Sequence, residues 1–258
     1  MCESNVVKYV LLISFSLLFI LSLTPLTATA LAERTLEGKK ILMVIAQQDF
    51  RDEELFEPKE VFEGAGASVF VAAPRKETAT GMLGGKVQPD FAISDVNASE
   101  FDAVVVVGGS GSPKYLWDDT QLRNLVRDAY EDGKVVAAIC LSPVVLARAG
   151  ILKGKEATAS SDAVAELRKG GAIYKDESVV IAGRIVTGRD PASAEAFANA
   201  IASLLRGEEP KQTSQPTQQP SSPKPAGFEL FATVLSAAVA SLLTTRHLTT
   251  RRRTKRVK

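Results

Sequence analysis

The chain of 258 residues contains one histidine, His247. A Ser-His-Asp triad needs an imidazole base and a histidine-ligated zinc needs several imidazoles, so neither can be assembled, nor can a Cys-His dyad inside the body of the chain. His247 itself lies among arginines near the C-terminus. Cysteine is almost as scarce: Cys2 and Cys140 cannot form a disulfide scaffold. A strong charge excess is also missing. The formal net charge is +1, which argues against a polyionic partner such as nucleic acid. That average hides an asymmetry, because Arg246–Lys258 carries seven Lys/Arg and no acid, leaving the rest mildly acidic. No glycine run ends in the Gly-Lys-Ser/Thr of a phosphate loop, none has the third glycine of a dinucleotide fingerprint, and there is no internal repeat. What remains is a composition of 45% hydrophobic and 24% charged residues, which excludes collagen and a wholly disordered chain. The length allows one good-sized domain plus extra segments.

The extra segments are at the ends. Residues 1–32 read as a signal peptide or N-terminal anchor: Lys8 precedes an uncharged apolar stretch from Tyr9 to Leu23, and small residues resembling an Ala-x-Ala cleavage site follow. Cleavage would remove Cys2. Residues 207–226 are a Pro/Gln/Ser-rich linker with nothing to bury in a core. Residues 227–245 are apolar, with no charged side chain between Leu230 and Thr245, and are expected to form a transmembrane helix; the basic tail 246–258 then faces the cytoplasm by the positive-inside rule. Only roughly 15 residues follow Glu229 before the tail, so flanking side chains would have to snorkel. The rival is an amphipathic surface helix, against which the absence of a polar face argues. These features predict a body, 33–206, held outside the cytoplasm on a membrane stalk. Export would also expose Asn97-Ala98-Ser99, a possible glycosylation sequon.

Within the body, Lys40–Ala46 is a continuous apolar run of the kind a parallel sheet buries on both faces. A helix is expected over Asp52–Ala65, a strand over Ala67–Ala73, a small β excursion between Met82 and Ile93, and a central strand over Phe101–Val107. A helix over Leu116–Glu131, a strand over Val135–Ile139 and a helix from about Pro143 to Ala149 follow. Short strands at Ser178–Ile181 and Ile185–Thr187 precede a final helix, Ala192–Leu205. Alternating strands and helices predict an α/β sandwich with a mostly parallel central sheet.

Ligands of such sheets bind beyond the carboxyl ends of the strands. Three ends carry candidates: Glu53 and Glu54 after the first strand, Gly108-Gly109-Ser110-Gly111 after the central one, and Cys140 after Val135–Ile139. A cysteine between a buried strand and a helix stands on a sharp turn, near amide N–H groups and the positive helix end, which predicts a depressed thiol pKa and a nucleophilic or oxidisable sulfur. Taken alone, a free cysteine is more often a small buried hydrophobe, the glycine run an ordinary turn and Glu54 a helix-dipole acid.

The segments FRDEELFEP, VVVVGGSGSP, GKVVAAICLSPVVLARAGILKGKEAT and IVTGRDPASAEAFA, in this order and spacing, resemble the ThiJ/PfpI superfamily over nearly all of Lys39–Leu205. The resemblance implies a flavodoxin-like three-layer sandwich. It also implies a cysteine nucleophile at Cys140, a protonated glutamate beside the sulfur at Glu54, and an oxyanion site from the backbone N–H groups of Gly109 and Leu141. The implied chemistry is cofactor-independent and metal-free attack on small carbonyl substrates, glyoxalase- or deglycase-like, in a protein that self-associates. Two departures matter: Leu141 stands where protease-like members have histidine directly after the cysteine, and Ser160 stands where the deglycase branch has one. A peptidase reading is therefore the weaker one, lacking a general base. A cysteine-based redox sensor or stress-protective binding module is the alternative.

Overall fold

The computed structural model describes Leu36–Glu208. The expected signal peptide or anchor (1–32), the membrane segment (227–245), the basic tail (246–258) and nearly all of the linker (207–226) lie outside the described residues. No helix among the described residues is long and apolar enough to cross a membrane.

The chain runs β1 (Lys40–Val44), β2 (Gln48–Phe50), α1 (Asp52–Gly64), β3 (Ser68–Ala73), β4 (Ala79–Gly81), β5 (Lys86–Val87), β6 (Phe91–Ala92) and β7 (Ala103–Val106). It continues with α2 (Ser112–Tyr115), α3 (Thr120–Glu131), β8 (Val135–Ile139), α4 (Pro143–Arg148), β9 (Glu156–Ala157) and α5 (Val164–Lys169). The last elements are β10 (Ile173–Tyr174), β11 (Val179–Ala182), β12 (Ile185–Gly188) and α6 (Ala194–Arg206). Seven strands form the main sheet in the order β11-β12-β8-β7-β1-β3-β6, parallel except for β11 against β12. β2, β4 and β5 make a small second sheet, and β9 pairs with β10.

Apart from the exposed Lys40 at the start of β1, the central strands are apolar because helices cover both faces. Ile41 to Val44, Val104 to Val106 and Val135 to Ile139 are all fully buried, and burying each larger side chain contributes about 2 kcal/mol relative to exposure. From β1 the chain steps one way to β3, whereas from β7 it steps the other way to β8 and β12. Right-handed crossovers therefore place α1 and α3 on opposite faces. α1 packs on α6, and α3 packs on α4 and over β7 and β8. The reversal between β1 and β7 is the switch point at which such sheets open a crevice at their carboxyl ends.

Two expectations need correction. The helix expected over Leu116–Glu131 is two helices: α2 starts earlier, with Pro113 in its first turn, and α3 starts afresh at Thr120, where the Asp119 side chain accepts the Leu122 N–H at 2.9 Å. Leu116 is fully buried between them, so packing and a cap together break the periodic pattern. β2, β9, α5 and β10 were not anticipated, being only two to six residues each. The β excursion near Met82 exists, but it divides: β4 and β5 pair with each other while β6 joins the edge of the main sheet.

Candidate functional site: a cysteine elbow against a buried carboxyl

β8 ends at Ile139 and α4 begins at Pro143, so the chain must turn within three residues. Cys140 makes that turn with φ 63°, one of two positive-φ non-glycine residues among those described. A side chain in this region is strained and persists only where surrounding contacts over-determine it. Those contacts are present. The Cys140 N–H donates to Gly188 O at 3.0 Å and its carbonyl accepts the Ser160 N–H at 2.9 Å. The Ser142 hydroxyl donates to Val107 O at 2.7 Å and lies 3.0 Å from the Ser112 hydroxyl. The Trp117 indole N–H donates to Leu141 O at 2.8 Å. Ser160, read from the sequence as the residue in a lost histidine's place, thus holds the elbow through its backbone.

Glu54, in the first turn of α1, is fully buried. Its Oε2 accepts the Gly108 N–H at 3.0 Å. Its Oε1 is buried without a hydrogen bond of ordinary geometry, and the Cys140 thiol is the polar group with which it couples. Gly108 is what lets these groups meet: a Cβ there would lie 2.5 Å from Glu54 Oε2 and 2.6 Å from Cys140 Cβ. The N–H groups of Gly109, at φ 109°, and Leu141 both donate toward the sulfur. Cys140, Glu54, Gly109 and Leu141 are therefore brought together.

The electrostatics differ from the sequence expectation in one respect. Burial pushes the Glu54 carboxyl up to about 7, against the pull of Cys140, the Gly108 N–H and the Arg51 charge. Burial first, and then the Glu54 charge, push the Cys140 thiol up to about 12; the two N–H donors pull the other way and lose. Cys140 is not sealed from solvent, yet protein surrounds enough of the sulfur for desolvation to outweigh the amide field. α4 is six residues long and begins three residues later, so it adds little. The pair behaves as two acids sharing a site: the first proton leaves Glu54 near neutrality, and the charge left there helps hold the second proton on sulfur.

Sequence reasoning passed over Ser112, Ser142 and Trp117, and also Arg51, while it had Gly108 only as part of the glycine turn. The Arg51 N–H donates to Gly108 O at 3.0 Å, and its side chain pairs with Glu53 at 2.9 Å. The available signal was its position between the first apolar strand and the acidic helix start. Asn97 lies elsewhere, in the loop entering the amino end of β7, where its Oδ1 accepts from Ser99 N–H at 3.1 Å and Ser99 Oγ at 2.9 Å. A groove lined by Tyr130, Lys155 and Arg184 opens at the amino ends of β8 and β12, away from the cysteine. No group of three His, Cys, Asp or Glu able to hold a metal forms among the described residues.

A doubly wound sandwich with a strained cysteine at a strand–helix junction, facing a carboxyl from the first loop, defines a class of cysteine-elbow α/β proteins. Within that class the chain belongs to the DJ-1/PfpI family, whose sequence profile matches residues 39–204. It is 52% identical over 164 residues to an uncharacterized protein of Methanocaldococcus jannaschii, covering 63% of this chain and 80% of that one. It is 34% identical over 171 residues to protein/nucleic acid deglycase 2 of Escherichia coli, covering 65% and 98% respectively. The crystal structure of a ThiJ/PfpI domain protein from Brachyspira murdochii matches with a TM-score of 0.64 at 41% identity, covering 67% of this chain and all of that one.

Proposed function

We propose that the body is a cofactor-independent enzyme of the deglycase or glyoxalase kind, in which Cys140 attacks small reactive carbonyl compounds. The observation that carries this reading is the Glu54 carboxyl, buried with one oxygen unpaired except for the thiol. A buried carboxyl raised to near neutrality can take a proton from sulfur and return it within the catalytic cycle. With the proton on Glu54 the like charge beside the sulfur vanishes, and the acid O–H becomes a donor to the thiolate.

The steps balance for a 2-oxoaldehyde R–CO–CHO. Sulfur bonds to the aldehyde carbon as its proton passes to Glu54, giving a hemithioacetal whose oxygen charge the Gly109 and Leu141 N–H groups stabilise. Glu54 hands that proton to the hemithioacetal oxygen and, a carboxylate again, moves the carbon-bound proton to the neighbouring carbon through an enediol while the hydroxyl proton passes to the other oxygen, leaving a thioester of the 2-hydroxy acid. Water cleaves the thioester, releasing R–CHOH–COO⁻ and a proton and restoring the thiol; one water is consumed and no external oxidant is needed. The name of the E. coli relative supports extending the substrate class to such carbonyls already attached to an amine.

The test is turnover. The purified chain with methylglyoxal is expected to release lactate over many cycles, and Cys140→Ser to abolish release. Oxidation of Cys140 in a one-to-one ratio, with no lactate, would instead establish the redox-sensor reading. We also propose that the body acts outside the cytoplasm on a membrane tether, a reading supported by the patterns of residues 1–32 and 227–258.

A further inference from the structure

Arg51 joins the two halves of the site, yet the scheme above gives it nothing to do. Its backbone is fixed: the N–H donates to Gly108 O, and the Arg51 nitrogen fills the space where a side chain on Gly109 would stand. The guanidinium is fixed as well. Glu53 grips it in a fork, Nε to Oε2 at 2.9 Å and Nη2 to Oε1 at 2.9 Å. A guanidinium has five N–H donors in one plane. Among the described residues only Nη2 has a hydrogen-bond partner, Glu53 Oε1; Nε is buried against Glu53 Oε2 as an ion pair without hydrogen-bond geometry. The side chain is 29% exposed while Nε is buried, so it is the Nη end that a solute can reach. Its charge reaches both Glu54 and Cys140.

An anchored cation with a free, planar set of donors beside a nucleophile is built to orient a carboxylate, which it can grip with parallel hydrogen bonds. Glu53 already takes one such bond, from Nη2. We propose that Arg51 makes the site selective for reactive carbonyl compounds carrying a carboxylate, 2-oxoaldehydes with an acidic substituent, over neutral ones. The inference rests on Cys140 being the nucleophile. The bond changes are those already given, with the carboxylate a spectator that Arg51 holds while the aldehyde carbon meets the sulfur.

The test compares two alkylating reagents of nearly equal size, iodoacetate and iodoacetamide, each forming an S–C bond as iodide leaves. Rates are read at Cys140 by peptide mass spectrometry on the full chain. The ratio of iodoacetate to iodoacetamide rates is expected to fall roughly fivefold in Arg51→Gln, as for loss of a partly exposed ion pair, and to be partly retained in Arg51→Lys. Glu53→Gln, which frees the guanidinium from its fork, should move the ratio the opposite way. An unchanged ratio in Arg51→Gln overturns the assignment while leaving the nucleophile intact. Failure of Cys140 to react with either reagent overturns both.

Discussion

Glu54 is under two opposed demands. A carboxyl buried without full hydrogen bonding is costly to ionise, which is why it is pushed up to about 7 from its ordinary 4.5. Because the folded state holds this proton more tightly than the unfolded chain, the associated stability is fully present below pH 4.5 and is lost as pH rises through 7. Glu54→Gln carries no charge at any pH and can keep the bond from Gly108. At pH 8 it is expected to resist denaturant better than the parent by about 1–3 kcal/mol, with the difference closing below pH 4.5. The same variant loses the proton acceptor for the thiol. Losing the Glu54 charge, one of the causes that push the thiol up to about 12, should nevertheless move the midpoint of Cys140 alkylation downward in Glu54→Gln relative to the parent. An unchanged alkylation profile would show that carboxyl and sulfur are not coupled. In the sequence, position at the junction of a recognisable strand with a helix singled out Cys140, whereas only the resemblance to the ThiJ/PfpI superfamily raised Glu54 above a helix-dipole acid. The direction of the thiol shift could not be found there, since it depends on how much protein segments distant in sequence pack around one sulfur. Arg51 was hidden for a related reason: its role follows from the backbone contacts of Gly108 and Gly109, which no residue pattern encodes.

Between elements, the elbow is tied to the glycine turn by side chains rather than by the sheet ladder. Ser142, just before α4, donates to Val107 at the end of β7, and Ser112, at the start of α2, bonds to Ser142; both hydroxyls are fully buried. Removing one member leaves the other without its partner away from water, and that desolvation is the larger cost. Ser142→Ala is therefore expected to destabilise the fold by about 1–3 kcal/mol in chemical denaturation. The Ser112→Ala/Ser142→Ala double variant should cost clearly less than the two single variants combined. Strict additivity would mean that the two hydroxyls act separately. The long elements were legible in sequence: Val135–Ile139 was read to the residue as β8, because five apolar residues between Lys134 and Cys140 admit little else. What escaped was short or held by tertiary contacts. β9 and β10 are two residues each and exist only by pairing with one another. The break between α2 and α3 is made by the Asp119 cap and by burial of Leu116, features that a search for helical periodicity passes over.

For the whole molecule, the decisive contrast is between the body and the two ends that sequence alone describes. The apolar stretch 230–245 lacks a polar face, and a cluster of arginines and lysines follows it. Two kinds of membrane attachment could arise from such a pattern, and they respond differently to salt. A basic tail resting on an anionic surface is held by charge, which is screened within about 3 Å at 1 M salt, so it would wash off. A spanning helix is held by apolar burial and by the cost of exposing its backbone groups in lipid, neither of which salt removes. The chain is therefore expected in the membrane fraction after washing with molar salt, and a version ending at residue 226, once residues 1–32 have been cleaved, is expected to be released. Protease added to intact cells should degrade the body while sparing the basic tail, because the positive-inside rule keeps the tail in the cytoplasm. Release of the full chain by salt would exclude a spanning anchor. A body that withstands protease until the cells are broken would place the chemistry inside the cell, leaving the cysteine elbow unchanged but removing the argument for a tethered extracytoplasmic enzyme.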